Sequence, residues 1–151
     1  RAELTCLDQD KESLISDQKT LDTAMETSGR ECQTQFINES VRTLILDPRK
    51  LPSQNFIYSL GLYDYLADRA AIMLTKVLFD RLLPGGQLVI GNYSPKNDVG
   101  FAMDLIMDWK LIYRSEDDLM TIAKSVEGDS KASVKCESTG MQLFLIIDKL
   151  N

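Results

Sequence analysis

The order of the apolar segments constrains the fold of this chain more than any single residue does. Strand-sized apolar runs alternate with longer stretches whose apolar residues recur at helical spacing. Leu4-Thr5-Cys6-Leu7, Thr34-Gln35-Phe36-Ile37, Asn55-Phe56-Ile57-Tyr58-Ser59 and Gln87-Leu88-Val89-Ile90-Gly91 read as strands. The last is apolar almost throughout, as expected of a strand covered on both faces of a parallel sheet. A helix is predicted over Lys11 to Glu26, with Leu14, Ile15, Leu21, Ala24 and Met25 on or beside one stripe and Ser28-Gly29 as its stop. A second runs from Ala67 to Leu82, with Ala70, Ala71, Leu74, Val77, Leu78 and Leu82 facing inward and Pro84-Gly85-Gly86 breaking it. Val41–Leu46 fits a helical turn or a strand, and the short helix is preferred. Further helices are predicted over Asp98 to Met107, with Phe101, Leu105 and Ile106 inward, and from Ser115-Glu116-Asp117-Asp118 to about Val126. Ser115 can cap the latter, and the acids complement the positive end of its dipole.

The tail differs in kind. Ala132–Cys136 and Met141–Asp148 are strand-like and are joined by only Glu137-Ser138-Thr139-Gly140. So short a connection makes an antiparallel hairpin. Alternation followed by a hairpin predicts an α/β layer fold with a mostly parallel sheet.

The 151 residues suffice for one domain with a substantial core, and no repeat or linker marks a second, so 1–151 is expected to be one domain. The net charge of −6 argues against nucleic acid as a partner, because such binders concentrate Lys and Arg. No apolar run approaches the roughly 20 residues of a spanning helix, and no signal peptide is visible. Three cysteines, Cys6, Cys32 and Cys136, without CxxC spacing fit reduced, buried thiols and a cytoplasmic location. The chain has no histidine, which removes Ser-His-Asp and Cys-His catalysis and His-ligated metal; no metal site is expected.

Several separated motifs resemble the class I S-adenosylmethionine-dependent methyltransferases. Leu4–Asp8 is similar to that family's second strand, ending in an acid, and Asn55–Gly61 to its fourth strand and following loop. Leu82-Leu83-Pro84-Gly85-Gly86-Gln87-Leu88 is similar to its L-x-P-G-G-x-L approach to strand five. Tyr58-Ser59-Leu60-Gly61-Leu62-Tyr63-Asp64-Tyr65-Leu66, with Gly91-Asn92 and Asp108-Trp109-Lys110-Leu111-Ile112-Tyr113-Arg114, resembles a bacterial subgroup associated with extracellular-factor 3-hydroxypalmitic acid methyl ester biosynthesis. The resemblance implies a Rossmann-like sheet with helices on both faces and a last strand inserted antiparallel beside the fifth. It also implies a first, central strand and a Gly-x-Gly loop before Leu4, and no residues here supply them. The domain is therefore expected to be partial. Its second and fourth strands must pair directly or leave a gap, which a second copy could fill through the exposed sheet edge.

The resemblance further implies S-adenosylmethionine as cofactor. It places Asp8 on the ribose hydroxyls, with Gln9 adjacent, Asn38, Glu39 and Ser40 at the adenine, and Ser59, Leu60 and Gly61 along the methionine portion. Tyr63, Asp64, Tyr65, Asn92 and Tyr93 would face the acceptor. Read as residues alone, Asp8 could instead cap the helix near Lys11, although Asp10 suits that role better. Asn38–Ser40 could be a polar loop or cap, and Tyr63 and Tyr65 could be packing aromatics. Trp109 reads as core. Arg114 could hold an acceptor carboxylate or pair with a nearby acid.

The implied activity is methyl transfer to a small-molecule or lipid-like acceptor. A carboxylate acceptor is ionised at neutral pH and needs no general base, which suits a chain without histidine. An alcohol or amine would need Asp64 or Tyr63. The rival readings are a non-catalytic binding or dimerisation module and another Rossmann-like, nucleotide-dependent enzyme.

Overall fold

The computed structural model describes residues 2–96 and 110–150. The chain divides into two compact units, Arg1–Asp47 and Pro48–Asn151. The predicted helix over Asp98 to Met107 and the predicted core residue Trp109 lie outside the described residues.

The first unit is a βαβ element followed by a short helix. Strand β1 (Ala2–Asp8) leads into α1 (Lys11–Ser28), β2 (Cys32–Asn38) and α2 (Val41–Leu46). The strands run parallel without a register break, from Ala2 opposite Cys32 to Asp8 opposite Asn38. Helix α1 starts where Asp10 accepts a hydrogen bond from the Glu12 amide at 2.9 Å. It stops at Gly29, whose φ of +64° suits the left-handed C-terminal turn. Only Leu14 on this helix is buried. Val41–Leu46 is helical because Ser40 caps it, accepting from the Thr43 amide at 3.2 Å.

The second unit contains β3 (Gln54–Ser59), α3 (Asp68–Asp80), β4 (Leu82–Tyr93), α4 (Glu116–Ala123), β5 (Ser130–Cys136) and β6 (Gln142–Lys149). Short 3-10 turns occupy Pro48–Lys50 and Tyr63–Tyr65. The sheet order is β3-β4-β6-β5. β3 and β4 are parallel, and β6 enters antiparallel between β4 and β5. Along β6 the alternate residues Leu143, Leu145 and Ile147 are buried, together with Leu88 and Ile90 of β4. Leu74, Leu78 and Phe79 of α3 and Leu119 and Ile122 of α4 are buried with them. The predicted cap of α4 is complete: Ser115 and Asp118 form a reciprocal capping box.

Several boundaries differ from expectation. The helix predicted to Leu82 ends at Asp80, and the strand predicted from Gln87 already begins at Leu82. Gln54 pairs with Leu82 whereas Phe56 pairs with Gln87, so Pro84-Gly85-Gly86 is an irregularity inside β4 rather than the turn before it. Helix α4 stops at Ala123, short of the expected Val126. The strands form two sheets, and among the described residues no ladder joins β1 to β3. Among the described residues no helix is long and apolar enough to cross a membrane.

Candidate functional site

In open α/β sheets ligands bind beyond the carboxyl ends of the strands. In the first unit those ends are Asp8 and Asn38, which lie directly opposite each other. The Asn38 side-chain amide donates to the carbonyls of Asp8 at 3.0 Å and Gln9 at 2.9 Å. The Glu39 amide donates to the Asp8 carbonyl at 3.1 Å. One Asp8 carboxylate oxygen accepts from the Asp10 amide at 2.8 Å, which orients the group. Its other oxygen has no hydrogen bond among the described residues. Capping of α1 falls to Asp10, which also accepts from Ser13 Oγ at 3.1 Å. Gln9 is exposed, and the Ser40 hydroxyl is engaged at the start of α2.

In the second unit the loop after β3 carries Ser59, Leu60 and Gly61. Leu60 is 58% exposed. Gly61 has φ +83°, and open space surrounds the place where a β-carbon would stand. A side chain there would be strained by the backbone alone. The loop then turns inward. Tyr63 is fully buried, and its hydroxyl lies 2.9 Å from Thr75 Oγ1. The Thr75 hydroxyl donates to the Ala71 carbonyl at 2.8 Å, which leaves Tyr63 as the donor to Thr75. Burial pushes the Tyr63 phenol well above its ordinary pKa, against the opposing effects of Thr75 and Arg114. Tyr65 is 54% exposed.

Asp64 is 1% exposed. Its Oδ1 accepts from Asn92 Nδ2 at 2.8 Å and from the Tyr93 amide at 2.7 Å. Its Oδ2 is buried without a partner among the described residues. Burial raises the Asp64 pKa, and the Tyr93 amide and the Arg114 charge oppose that shift. Asn92 also donates to the Ile112 carbonyl at 2.8 Å and accepts from Arg114 Nη1 at 2.7 Å.

Arg114 takes the second of its two readings, pairing with a nearby acid. It is 2% exposed, and its remaining donors reach the Tyr63 carbonyl (2.7 Å), the Leu66 carbonyl (2.5 Å) and Asp68 Oδ1 (2.8 and 3.2 Å). A guanidinium has five N–H donors, and all five are committed. Arg114 is therefore not open to an acceptor carboxylate and instead pairs with an acid. The structure joins Tyr63, Asp64, Asn92, Tyr93 and Arg114 in one buried polar cluster. Sequence reading named each of them but did not foresee the cluster, because its members come from three separate segments: the turn after β3, the end of β4 and the segment before α4. The one available signal was a charged residue closing the apolar run Leu111-Ile112-Tyr113.

No protein-family model and no curated protein sequence matches this chain. Solved structures do. A possible exported protein from Bordetella parapertussis superposes with a TM-score of 0.71 at 15% identity, over 99% of this chain and 54% of that one. Magnesium protoporphyrin IX methyltransferase from Synechocystis, with bound S-adenosylhomocysteine, gives 0.65 at 11% identity, over 96% of this chain and 63% of that one. Human N-acetylserotonin methyltransferase in complex with S-adenosylmethionine gives 0.66 at 12%, over 98% and 48%.

The fold is that of the class I methyltransferases. The antiparallel entry of β6 beside β4 is the arrangement that the sequence resemblance implied. The chain spans between about half and two thirds of the length of the first two of these structures.

Proposed function

We propose that this chain is part of an enzyme that transfers a methyl group from S-adenosylmethionine to a small-molecule or lipid-like acceptor, and that the acceptor is a carboxylate. Both units are taken as parts of one methyltransferase-like domain. The observation that carries the reading is the Asp8 carboxylate. It stands at a strand end beside Asn38, with one oxygen fixed by the Asp10 amide. That leaves the other oxygen to accept from a ribose hydroxyl. In the first unit the resemblance assigns Gln9, Asn38, Glu39 and Ser40 to the nucleoside; in the second it assigns Ser59, Leu60 and Gly61 to the methionine portion. When bound, the sulfonium supplies a methyl group already activated for transfer. The chain's own task is to align the two reactants and exclude water.

Burial of the candidate bases supports a carboxylate acceptor. The Tyr63 hydroxyl is committed to Thr75 and Asp64 Oδ1 to Asn92 and Tyr93, and both side chains are withdrawn from solvent, Asp64 Oδ2 included. Neither is placed to take a proton from an alcohol or amine. Tyr65, Asn92 and Tyr93 remain the acceptor-side residues, with Asn92 acting through the buried cluster. The bacterial methyl-ester subgroup is the finer assignment consistent with such an acceptor.

One observation favours a binding or dimerisation module as second reading. Among the described residues β3 pairs with β4 alone, and Phe56 and Tyr58 are exposed on it with ring centroids 5.9 Å apart. At the opposite edge, β5 exposes Lys131 and Lys135, residues that discourage strand pairing. An unguarded apolar edge suits a second copy of the chain.

Calorimetric titration with S-adenosylhomocysteine tests the choice, using this chain and a form extended upstream. Binding that is lost in Asp8→Ala supports the methyltransferase reading. Failure of both forms to bind, together with self-association that Tyr58→Lys abolishes, supports the module.

A further inference from the structure

We propose that Arg114 is the positioning residue of the acceptor side: it sets the path of the loop after β3 and the end of β4 without touching a ligand. This rests on the methyl-transfer reading for its function, though not for its geometry. The guanidinium holds the loop at two points, the carbonyls of Tyr63 and Leu66. It holds β4 through Asn92 Oδ1 and the first turn of α3 through Asp68. The backbone of its own segment is tied to the same places. The Arg114 amide donates to the Tyr93 carbonyl at 3.0 Å, and the Ile112 amide to the Asp64 carbonyl at 2.7 Å.

A simple packing role accounts poorly for this arrangement. Burying a guanidinium carries a large desolvation cost, and an apolar side chain of similar volume often stabilises a fold as well or better. What an apolar side chain cannot do is fix four acceptors from three chain segments at hydrogen-bond distance. The result is a loop with one side locked and the other presented to solvent. Tyr63 and Asp64 are buried inside it, while Leu60 and Tyr65 stand out from it. Displacement of reacting groups by about 1 Å can cost about a hundredfold in rate, so a locked loop is worth its desolvation where reactants must be aligned.

The test compares Arg114→Lys and Asp68→Asn with the parent chain by amide hydrogen exchange. Lysine keeps the charge but has three donors in a different geometry, and Asp68→Asn keeps an acceptor while removing the ion pair. In Arg114→Lys the Tyr65, Leu66 and Tyr93 amides are expected to exchange about tenfold faster or more, while those of Leu88, Ile90 and Leu145 keep their protection, because local opening is separable from global unfolding. Asp68→Asn is expected to show a smaller change confined to Leu66 and the start of α3. Uniform loss of protection across loop and sheet would make Arg114 a stabiliser only and overturn the proposal, as would unchanged loop amides. S-adenosylhomocysteine titration well below the thermal midpoint, where parent and variant are both folded, supplies the functional arm, with weaker binding expected in Arg114→Lys. If the parent does not bind that ligand, the methyl-transfer reading fails, and the exchange comparison still decides on Arg114.

Discussion

Leu60 crosses Gly91 so closely that a β-carbon on Gly91 would stand 2.9 Å from Leu60 Cδ2 and 2.9 Å from Gln142 Nε2. Both obstacles are ends of flexible side chains and can move aside. At Gly86 the obstacles are the carbonyl oxygens of Asn55 and Leu83, each at 2.8 Å, and backbone cannot give way as cheaply. Gly86→Ala is therefore expected to destabilise by about 3 kcal/mol or more and Gly91→Ala by about 1 kcal/mol. Denaturant unfolding of the two variants checks the order, and the reverse order would contradict the geometry of the β4 irregularity.

Removing the Asp64 carboxylate takes the acceptor of the Tyr93 amide and leaves the Asn92 side-chain amide to the Ile112 and Tyr93 carbonyls. Asp64→Ala is expected to cost about 2–4 kcal/mol, and Asp64→Asn less because one oxygen remains. The pH dependence has a definite sign. The folded-state pKa of Asp64 is raised, so the folded chain holds this proton more tightly than the unfolded one. Stability should fall as pH rises from the ordinary aspartate value of 3.8 through the raised value. The difference between the thermal midpoints of parent and Asp64→Asn, followed across that range, isolates the effect. A difference independent of pH would show that Asp64 is not desolvated.

Glu137 behaves in the opposite sense. In the hairpin turn its carboxylate accepts from the Thr139 hydroxyl and amide and from the amides of Met141 and Gln142. The Thr139 side-chain bond contributes most to a pKa lowered from 4.5 to about 2. The stabilisation is present above 4.5 and is lost as pH falls towards 2. Carboxyl-resolved NMR titration should find a midpoint well below that of other glutamates, and Thr139→Val should move it upward. A midpoint in the ordinary glutamate range would exclude the folded turn.

Lys149, near the end of β6, closes the far end of α3. Its ammonium donates to the carbonyls of Phe79 (3.2 Å) and Leu82 (2.9 Å) and stands 5.1 Å from the Phe79 ring centroid. Lys149→Met keeps the apolar stem and removes these contacts. A loss of about 1–2 kcal/mol in chemical denaturation is expected. A neutral result would mean that water serves these carbonyls as well as the lysine does.

Much of the architecture was legible in the sequence because it depends on local periodicity. Apolar runs and helical spacing located the described strands and longer helices, Val41–Leu46 stood open between helix and strand, and Ser115, Ser28-Gly29 and the short Glu137–Gly140 connection marked ends and a hairpin. Pro84-Gly85-Gly86 misled because its local chemistry is that of a turn, while pairing with β3 holds it within a strand. Ser40 and Asp10 were legible as cap candidates, but which of Asp8 and Asp10 would serve α1 depended on backbone geometry.

The sequence by itself determined the order of the elements, the antiparallel hairpin and the strand-end positions of Asp8, Asn38, Gly61 and Asn92, because each follows from patterns a few residues long. Only the tertiary structure decided that Tyr63 and Asp64 are withdrawn from solvent and that Arg114 is saturated by five hydrogen bonds. Hydrogen-bond partners 22 to 51 residues apart follow no local period. They are selected when separate loops fold onto one place and a buried charge must find every acceptor within reach.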